Sequence, residues 1–329
     1  MGEQTQEGRI VQYPGQQEEN GTGKKTAFIV IACLVLISAA AVGAVIYAKR
    51  PSRGYQDYKV QMQQYFSEYT DRYEYSEVVT VTYPQIEGIE EEQQNRINQM
   101  MYDTAMDRTN YWHLEPDDYV SGIQQEYSIF SSDASCEVSY HSQYLLSLNY
   151  EETYAPVNPV FYVSITKRGL NVDLMTGEQY GLGDIVRIDD AFIKFWTDKA
   201  NKEYDDFFGD SEEDREILLS WFLGGDEEWN EYYEFHPYFY VQEGKDFMMG
   251  IAIDPKYVSN ARPPQEDAYE IVCSAKELEK FKTKSDFWEK YDLSENAGEI
   301  VECREMQENI WLEDLSGAGD YWERIEGLY

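Results

Sequence analysis

Gly169-Leu-Asn-Val-Asp-Leu-Met-Thr-Gly-Glu-Gln-Tyr-Gly-Leu-Gly-Asp-Ile-Val186 reads as strand, tight turn and second strand. Asn171, Val172 and Leu174 fall in a first strand over Leu170–Met175. Thr176-Gly177 makes the turn, because Gly takes positive φ at no steric cost. A second strand over Gln179–Leu182 follows, and Leu182 and Ile185 return apolar groups to a core. The motif carries structure and no catalytic chemistry. It places this part of the chain in a strand-rich sheet.

Strand patterning continues on both sides. Upstream, Tyr127–Phe130, Cys136–Tyr140, Tyr144–Tyr150 and Phe161–Ile165 read as strands, with Lys167-Arg168-Gly169 as a turn into Leu170. Further back, Val79, Val81 and Tyr83 alternate with Thr80 and Thr82, and Pro84 ends the run. Between these lies Glu90–Arg108, with Ile97, Met101 and Ala105 four residues apart, the spacing of a helix face. Residues 51–75 carry Tyr58, Met62, Tyr65, Phe66, Tyr69 and Tyr73 at helical spacing, which predicts a helix. Downstream, Asp189 or Asp190 caps a helix running to about Phe207, and Asp210-Ser211 caps Glu212–Leu223. A short helix over Asp226–Glu234 precedes strands at Pro237–Gln242, Asp246–Ile253 and Tyr269–Cys273. Ser274 then caps Ala275–Lys282, and a last strand lies near Glu299–Arg304.

Thr26–Ala48 is set apart from all of this. Its 23 residues contain no charge, proline or amide side chain. As a helix they span roughly 35 Å, enough for a hydrocarbon core of about 30 Å. Lys24-Lys25 and Lys49-Arg50 flank it, and Tyr47 sits at a boundary suited to an aromatic ring. Two other readings stay open: a signal peptide cleaved in the small-residue run Ser38–Ala44, and a lipoprotein box ending at Cys33. Flanking Lys and Arg do not fix the orientation. Large domains translocate largely regardless of charge, so the body is expected outside the membrane.

The net charge is −36. Residues 1–25 supply −1 of it (Arg9, Lys24 and Lys25 against Glu3, Glu7, Glu18 and Glu19), leaving −35 for the rest. That argues against nucleic acid and anionic lipid surfaces as partners and suits a cationic one. Tyr accounts for 29 residues, in keeping with half-buried pleated surfaces. Cys136, Cys273 and Cys303 lie in the body, and Cys273 with Cys303 is a candidate disulfide. His113, His141 and His236 each sit among aromatics, without the spacing of a metal pair. GxSxG, HExxH, GxxxxGK[ST] and GxGxxG are missing from the sequence. Asp205-Asp206 and Asp210–Asp214 match a calcium loop in charge alone. Neither catalytic residues nor a cofactor or metal are assigned, and a binding protein rather than an enzyme is expected. Chance carboxylate pairs keep a glycoside-hydrolase reading open.

Two stretches together carry a resemblance: Val79-Thr-Val-Thr-Tyr-Pro-Gln-Ile-Glu-Gly88 with Asn95-Arg-Ile-Asn98, and Gly169–Val186 answered by Phe239–Gly244 and Gly250–Pro255. Residues 77–282 resemble the extracytoplasmic domain of the RsiV anti-sigma-factor family, a domain of unknown function also found beside a peptidoglycan deacetylase. The resemblance implies an α+β domain outside the membrane and, for RsiV itself, lysozyme sensing by direct binding. The family often carries a Gly-Ala-His segment where this chain reads Tyr154-Ala-Pro-Val-Asn-Pro159. A 25-residue polar tail is also too short to hold a sigma factor.

The expected organisation is a disordered tail over 1–25, a membrane helix over 26–48 and a juxtamembrane helix or stalk over 49–76. An RsiV-like α+β domain with an antiparallel-rich sheet packed by helices covers 77–282, in one or two lobes, and an acidic extension covers 283–329. The expected function is membrane-anchored, extracytoplasmic binding or sensing of lysozyme or cell-wall material. A cell-wall hydrolase, an accessory enzyme and a structural envelope protein are the alternatives.

Overall fold

The computed structural model describes residues 54–55, 57–70, 76–114, 129–157, 163–205, 207–225, 233–255, 267–295, 299–301 and 306–308. The chain divides into two units, Met1–Ser52 and Arg53–Tyr329. The first, with Thr26–Ala48 in it, lies outside the described residues. No helix among the described residues is long and apolar enough to cross a membrane.

The second unit is α+β, with two sheets among its described residues. The larger is built from β1 (Lys59–Thr70), β2 (Ser76–Glu87), β3 (Ile129–His141), β4 (Leu145–Val157) and β5 (Ser164–Asp173), in that order. The short strands β9 (Glu299–Val301) and β10 (Met306–Glu308) pair in parallel with the outer edge of β1. The β1–β2, β3–β4 and β4–β5 pairs are antiparallel, whereas β2 and β3 run parallel over Ser76–Val81. A parallel pair needs a crossover, and helix α1 (Glu91–Thr109) supplies it. Its Ile97, Met101 and Ala105 pack on Val79, Val81, Leu146, Leu148 and Val172.

The smaller sheet is antiparallel, with β6 (Tyr233–Val241), β7 (Phe247–Pro255) and β8 (Ala268–Cys273) in order. The short α2 (Leu182–Ile185) precedes α3 (Asp190–Glu203) and α4 (Glu212–Phe222); α5 (Ala275–Leu278) and α6 (Phe287–Leu293) follow β8. Phe192 and Trp196 of α3, Phe222 of α4 and Phe287 and Trp288 of α6 pack on Phe239, Phe247, Met249 and Ile271. The caps fall where the sequence puts them. Asp189 Oδ1 accepts from Phe192 N at 3.0 Å, Ser211 forms a capping box with Asp214, and Ser274 forms one with Glu277.

Several expectations are corrected. Lys59–Thr70 is a strand rather than a juxtamembrane helix, because all twelve residues pair with β2. Tyr58 and Val60 are buried, so the domain starts before residue 77. Pro84 does not end β2. The β3 ladder stops at Val81, so at Pro84 only the β1 side is paired, a position proline tolerates. Beyond it the side chain of Asn98 acts as the missing strand, accepting from Ile86 N at 2.8 Å and donating to Ile86 O at 3.1 Å. Lys167-Arg168-Gly169 is not a turn but the middle of β5, and β3 is one strand rather than two. Gln179 makes a single bridge to Val172 in place of a strand. The α3 helix ends at Glu203, and α5 stops at Leu278. Residues 283–295 are not part of an extension, because Phe287, Trp288 and Tyr291 are buried in the core beneath the smaller sheet; most of the remainder of 283–329 lies outside the described residues. Tyr233 and Glu234 belong to β6; the rest of the helix expected over Asp226–Glu234 lies outside the described residues.

The opening motif folds as read at its turn. Asp173 Oδ1 accepts from Met175 N at 2.8 Å, its Oδ2 accepts from Thr176 Oγ1 at 2.9 Å, and Gly177 has φ +68. The buried Lys290 of α6 pairs with the same carboxylate, a partner nothing in the motif announces.

Candidate functional site

The three histidines lead to three different places. His113 ends α1 through a π-helical turn, Asn110–Leu114. Its Nδ1 pairs with the Glu77 carboxylate and its Nε2 lies 2.7 Å from Ser132 Oγ. Serine, imidazole and carboxylate in this order are the parts of a nucleophile relay. Here, however, all three side chains are at most 2% exposed, and Ser132 sits on a strand paired on both sides. The arrangement braces the helix end against β2 and β3, and Trp112 stacked on Tyr154 at 4.1 Å completes it.

His236 belongs to a junction of ionisable groups where the second sheet meets α1 and β5. Asp254, near the end of β7, is 2% exposed. Its Oδ2 receives Arg108 of α1 at 2.6 Å and Arg168 of β5, and His236 Nε2 of β6 lies 3.2 Å away. Glu234 sits opposite Asp254 across the β6–β7 ladder. Two facing carboxylates repel, and Arg108 bridges them, reaching Glu234 at 3.4 Å. The position of Arg108 in the last turn of α1 also favours a cation. Glu152 of β4, in contact with Thr109, completes the group.

The electrostatics follow from burial and these contacts. Burial alone would raise Asp254, but His236, Arg168 and Arg108 hold its carboxyl far below the usual range. Burial lowers His236, and the Asp254 and Glu234 carboxylates more than reverse it, so the imidazole holds its proton more tightly than usual. Burial raises Glu152 to about 8 against the pull of Arg108 and Arg168. At neutral pH the junction therefore holds an ionised Asp254 and a protonated Glu152.

His141 lines a surface cavity of about 440 Å³ with Glu137, Ser139, Tyr140, Tyr240 and Glu243. The β3–β4 register shifts between Val138 and Tyr140, and such a bulge re-aims side chains. Glu137 and Glu243 are exposed, so the cavity presents two carboxylates to solvent, whereas Tyr140 and Tyr240 in its wall are buried. A second cavity, of about 510 Å³, lies beside β8. There Lys199 donates to Val272 O at 2.8 Å and Tyr204 OH accepts from Glu270 N at 2.9 Å, covering the strand edge.

Cys273 is a buried free thiol, pushed by burial up to about 12; its candidate partner Cys303 lies outside the described residues. Among the described residues no group of three or more His, Cys, Asp or Glu is placed to hold a metal ion. The junction was not legible in the sequence, because its members are spread from Arg108 to Asp254. Only His236 had drawn notice, as a histidine among aromatics.

No protein-family model and no curated protein matches the chain. Among solved structures, it is similar to a member of the DUF3298 family from Bacteroides fragilis, with a TM-score of 0.48 and 10% identity over 73% of this chain and 100% of that one. It is also similar to a DUF3298 family protein from Pseudomonas aeruginosa, with a TM-score of 0.40 and 13% identity over 68% of this chain and 94% of that one.

Proposed function

We propose that this chain is a membrane-tethered extracytoplasmic binding domain of a bacterial cell envelope, and that its ligand is a cationic protein or cell-wall material. The observation that carries the reading is the open cavity of about 440 Å³, where the carboxylates of Glu137 and Glu243 face solvent. Paired carboxylates suit ammonium and guanidinium groups. The net charge of −36 steers cationic ligands toward the surface. The apolar segment Thr26–Ala48 supplies the tether.

Lysozyme and soluble peptidoglycan fragments are the ligands to test against the full-length chain in detergent. Binding at micromolar concentration to one of them is expected, weakened at least tenfold in Glu137→Lys/Glu243→Lys. Binding to neither at that concentration refutes the reading. Protease digestion of intact cells tests the location: the body should be cut from outside.

A second reading, an accessory hydrolase, is favoured by the alignment of Ser132, His113 and Glu77. It requires the buried Ser132 to become accessible. Labelling of Ser132 by a fluorophosphonate would support it, and no labelling is expected.

A further inference from the structure

The second sheet is held against β4 and β5 by two kinds of bond, at opposite ends of β6. Toward its C-terminal end the bonds are neutral. Asn171 Nδ2 donates to Phe239 O at 2.7 Å, and Ser147 Oγ accepts from Val241 N at 2.8 Å. Gly169 lets the Phe239 carbonyl approach so closely that a Cβ there would lie 2.2 Å from its oxygen. Toward the N-terminal end the bonds are ionic: Arg168 of β5 and Arg108 of α1 reach Asp254, Arg108 also reaches Glu234, and His236 lies beside both carboxylates within the second sheet; apart from these, Lys167 of β5 pairs with Glu270 of β8 at 3.2 Å.

The ionic end has a definite charge balance. Arg108, Arg168 and protonated His236 face Asp254, Glu234 and Asp107, the last acting on both Arg108 and Glu152. Three positive charges meet three negative ones as long as Glu152 keeps its proton. Removing the proton from His236 and ionising Glu152 takes the same volume from balance to −2.

We propose that this junction is a pH-sensitive clasp, closed when His236 is protonated and Glu152 is neutral, and loosened at its own end of β6 as pH rises. The neutral seam at Phe239–Val241 does not titrate and stays shut, so the motion is a fraying of one end rather than a separation of the sheets. Both switching groups bind protons more tightly in the folded domain than in the unfolded chain. Their contribution is therefore full at acid pH. For Glu152 it declines above its ordinary 4.5 and is lost above about 8. For His236 the decline begins above about 6.5. Glu152 alone then raises the opening constant roughly fiftyfold between pH 6 and pH 8.

Hydrogen exchange of the full-length chain in detergent tests this, with wild type and Glu152→Gln compared at each pH so that the intrinsic exchange rate cancels. Gln keeps the shape of the protonated carboxyl and cannot ionise. Relative to the variant, wild-type exchange at Tyr233–His236 and Ile253–Asp254 is expected to accelerate roughly fiftyfold from pH 6 to pH 8, with no change at Phe239–Val241. His236→Gln should exchange faster than wild type at pH 6 in the same two segments. Equal acceleration in wild type and Glu152→Gln overturns the proposal, as does an acceleration spread evenly over both ends of β6.

Discussion

Replacing Gly169 by Ala tests the packing of the two sheets directly. The Cβ introduced would lie 2.2 Å from the carbonyl oxygen of Phe239 and 2.9 Å from its carbon. Real Cβ atoms essentially never come within 3.0 Å of a non-bonded heavy atom beyond their chain neighbours, so β6 must retreat from β5 by roughly 0.8 Å. No rotamer relieves the clash, because the opposing atoms are backbone. The retreat stretches the bonds from Asn171 to Phe239 O and from Val241 N to Ser147, now 2.7 and 2.8 Å, to or beyond useful length. Two buried polar groups left poorly paired cost about 1–3 kcal/mol each, and overpacking costs a further 1–3 kcal/mol. A loss on the order of 3–6 kcal/mol is expected, a large share of the roughly 5–15 kcal/mol that holds a domain together. Urea unfolding followed by tryptophan fluorescence reads it, since Trp196 and Trp288 lie in the affected core. Gly244→Ala is the control, with nothing within 4 Å of its Cβ and an expected change within about 0.5 kcal/mol. A Gly169→Ala protein within 1 kcal/mol of wild type would refute the close-approach argument.

Asn98→Ala should destabilise the domain by about 1–3 kcal/mol, because the Ile86 amide and carbonyl both lose their partner; Tm and urea midpoint report it. Asp254→Ala should cost about 3–5 kcal/mol by leaving Arg168 without its carboxylate and Arg108 with Glu234 alone at 3.4 Å, and Asp254→Asn should cost less. Wild-type stability should fall as pH rises from about 5 to 9. Glu152, raised from 4.5 to about 8, accounts for about 4 kcal/mol of that fall, and Glu152→Gln should flatten the urea-midpoint profile over this range.

How far the sequence could be read depended on whether a residue's role is set by its neighbours in the chain or by its partners in space. The turn at Thr176-Gly177 and the caps at Asp189, Ser211 and Ser274 are local devices, and they fall where the sequence places them. The α1 face of Ile97, Met101 and Ala105 was legible for the same reason. The segment Lys59–Thr70 was not. Tyr58, Met62, Tyr65, Phe66 and Tyr69 fit a helical period, and residues 61–66 are all half-buried, so no clean alternation marks them. Its conformation comes from pairing with β2, whose alternating Val and Thr are unambiguous.

Gly169 shows the same limit more sharply. Beside Lys167 and Arg168 a glycine reads as a turn, yet its freedom is spent on proximity to Phe239, 70 residues away in the sequence. The consequence reaches the candidate sites. Arg168 becomes a ligand of Asp254 only because residues 167–169 stay in strand. The correction that removes a turn therefore also builds the junction. A single Gly169→Ala change should loosen both the neutral seam and the ionic end that β5 presents to the second sheet. Combined with Asp254→Ala it should then cost less than the two single changes added together; strict additivity would mean that the seam and the junction are mechanically separate.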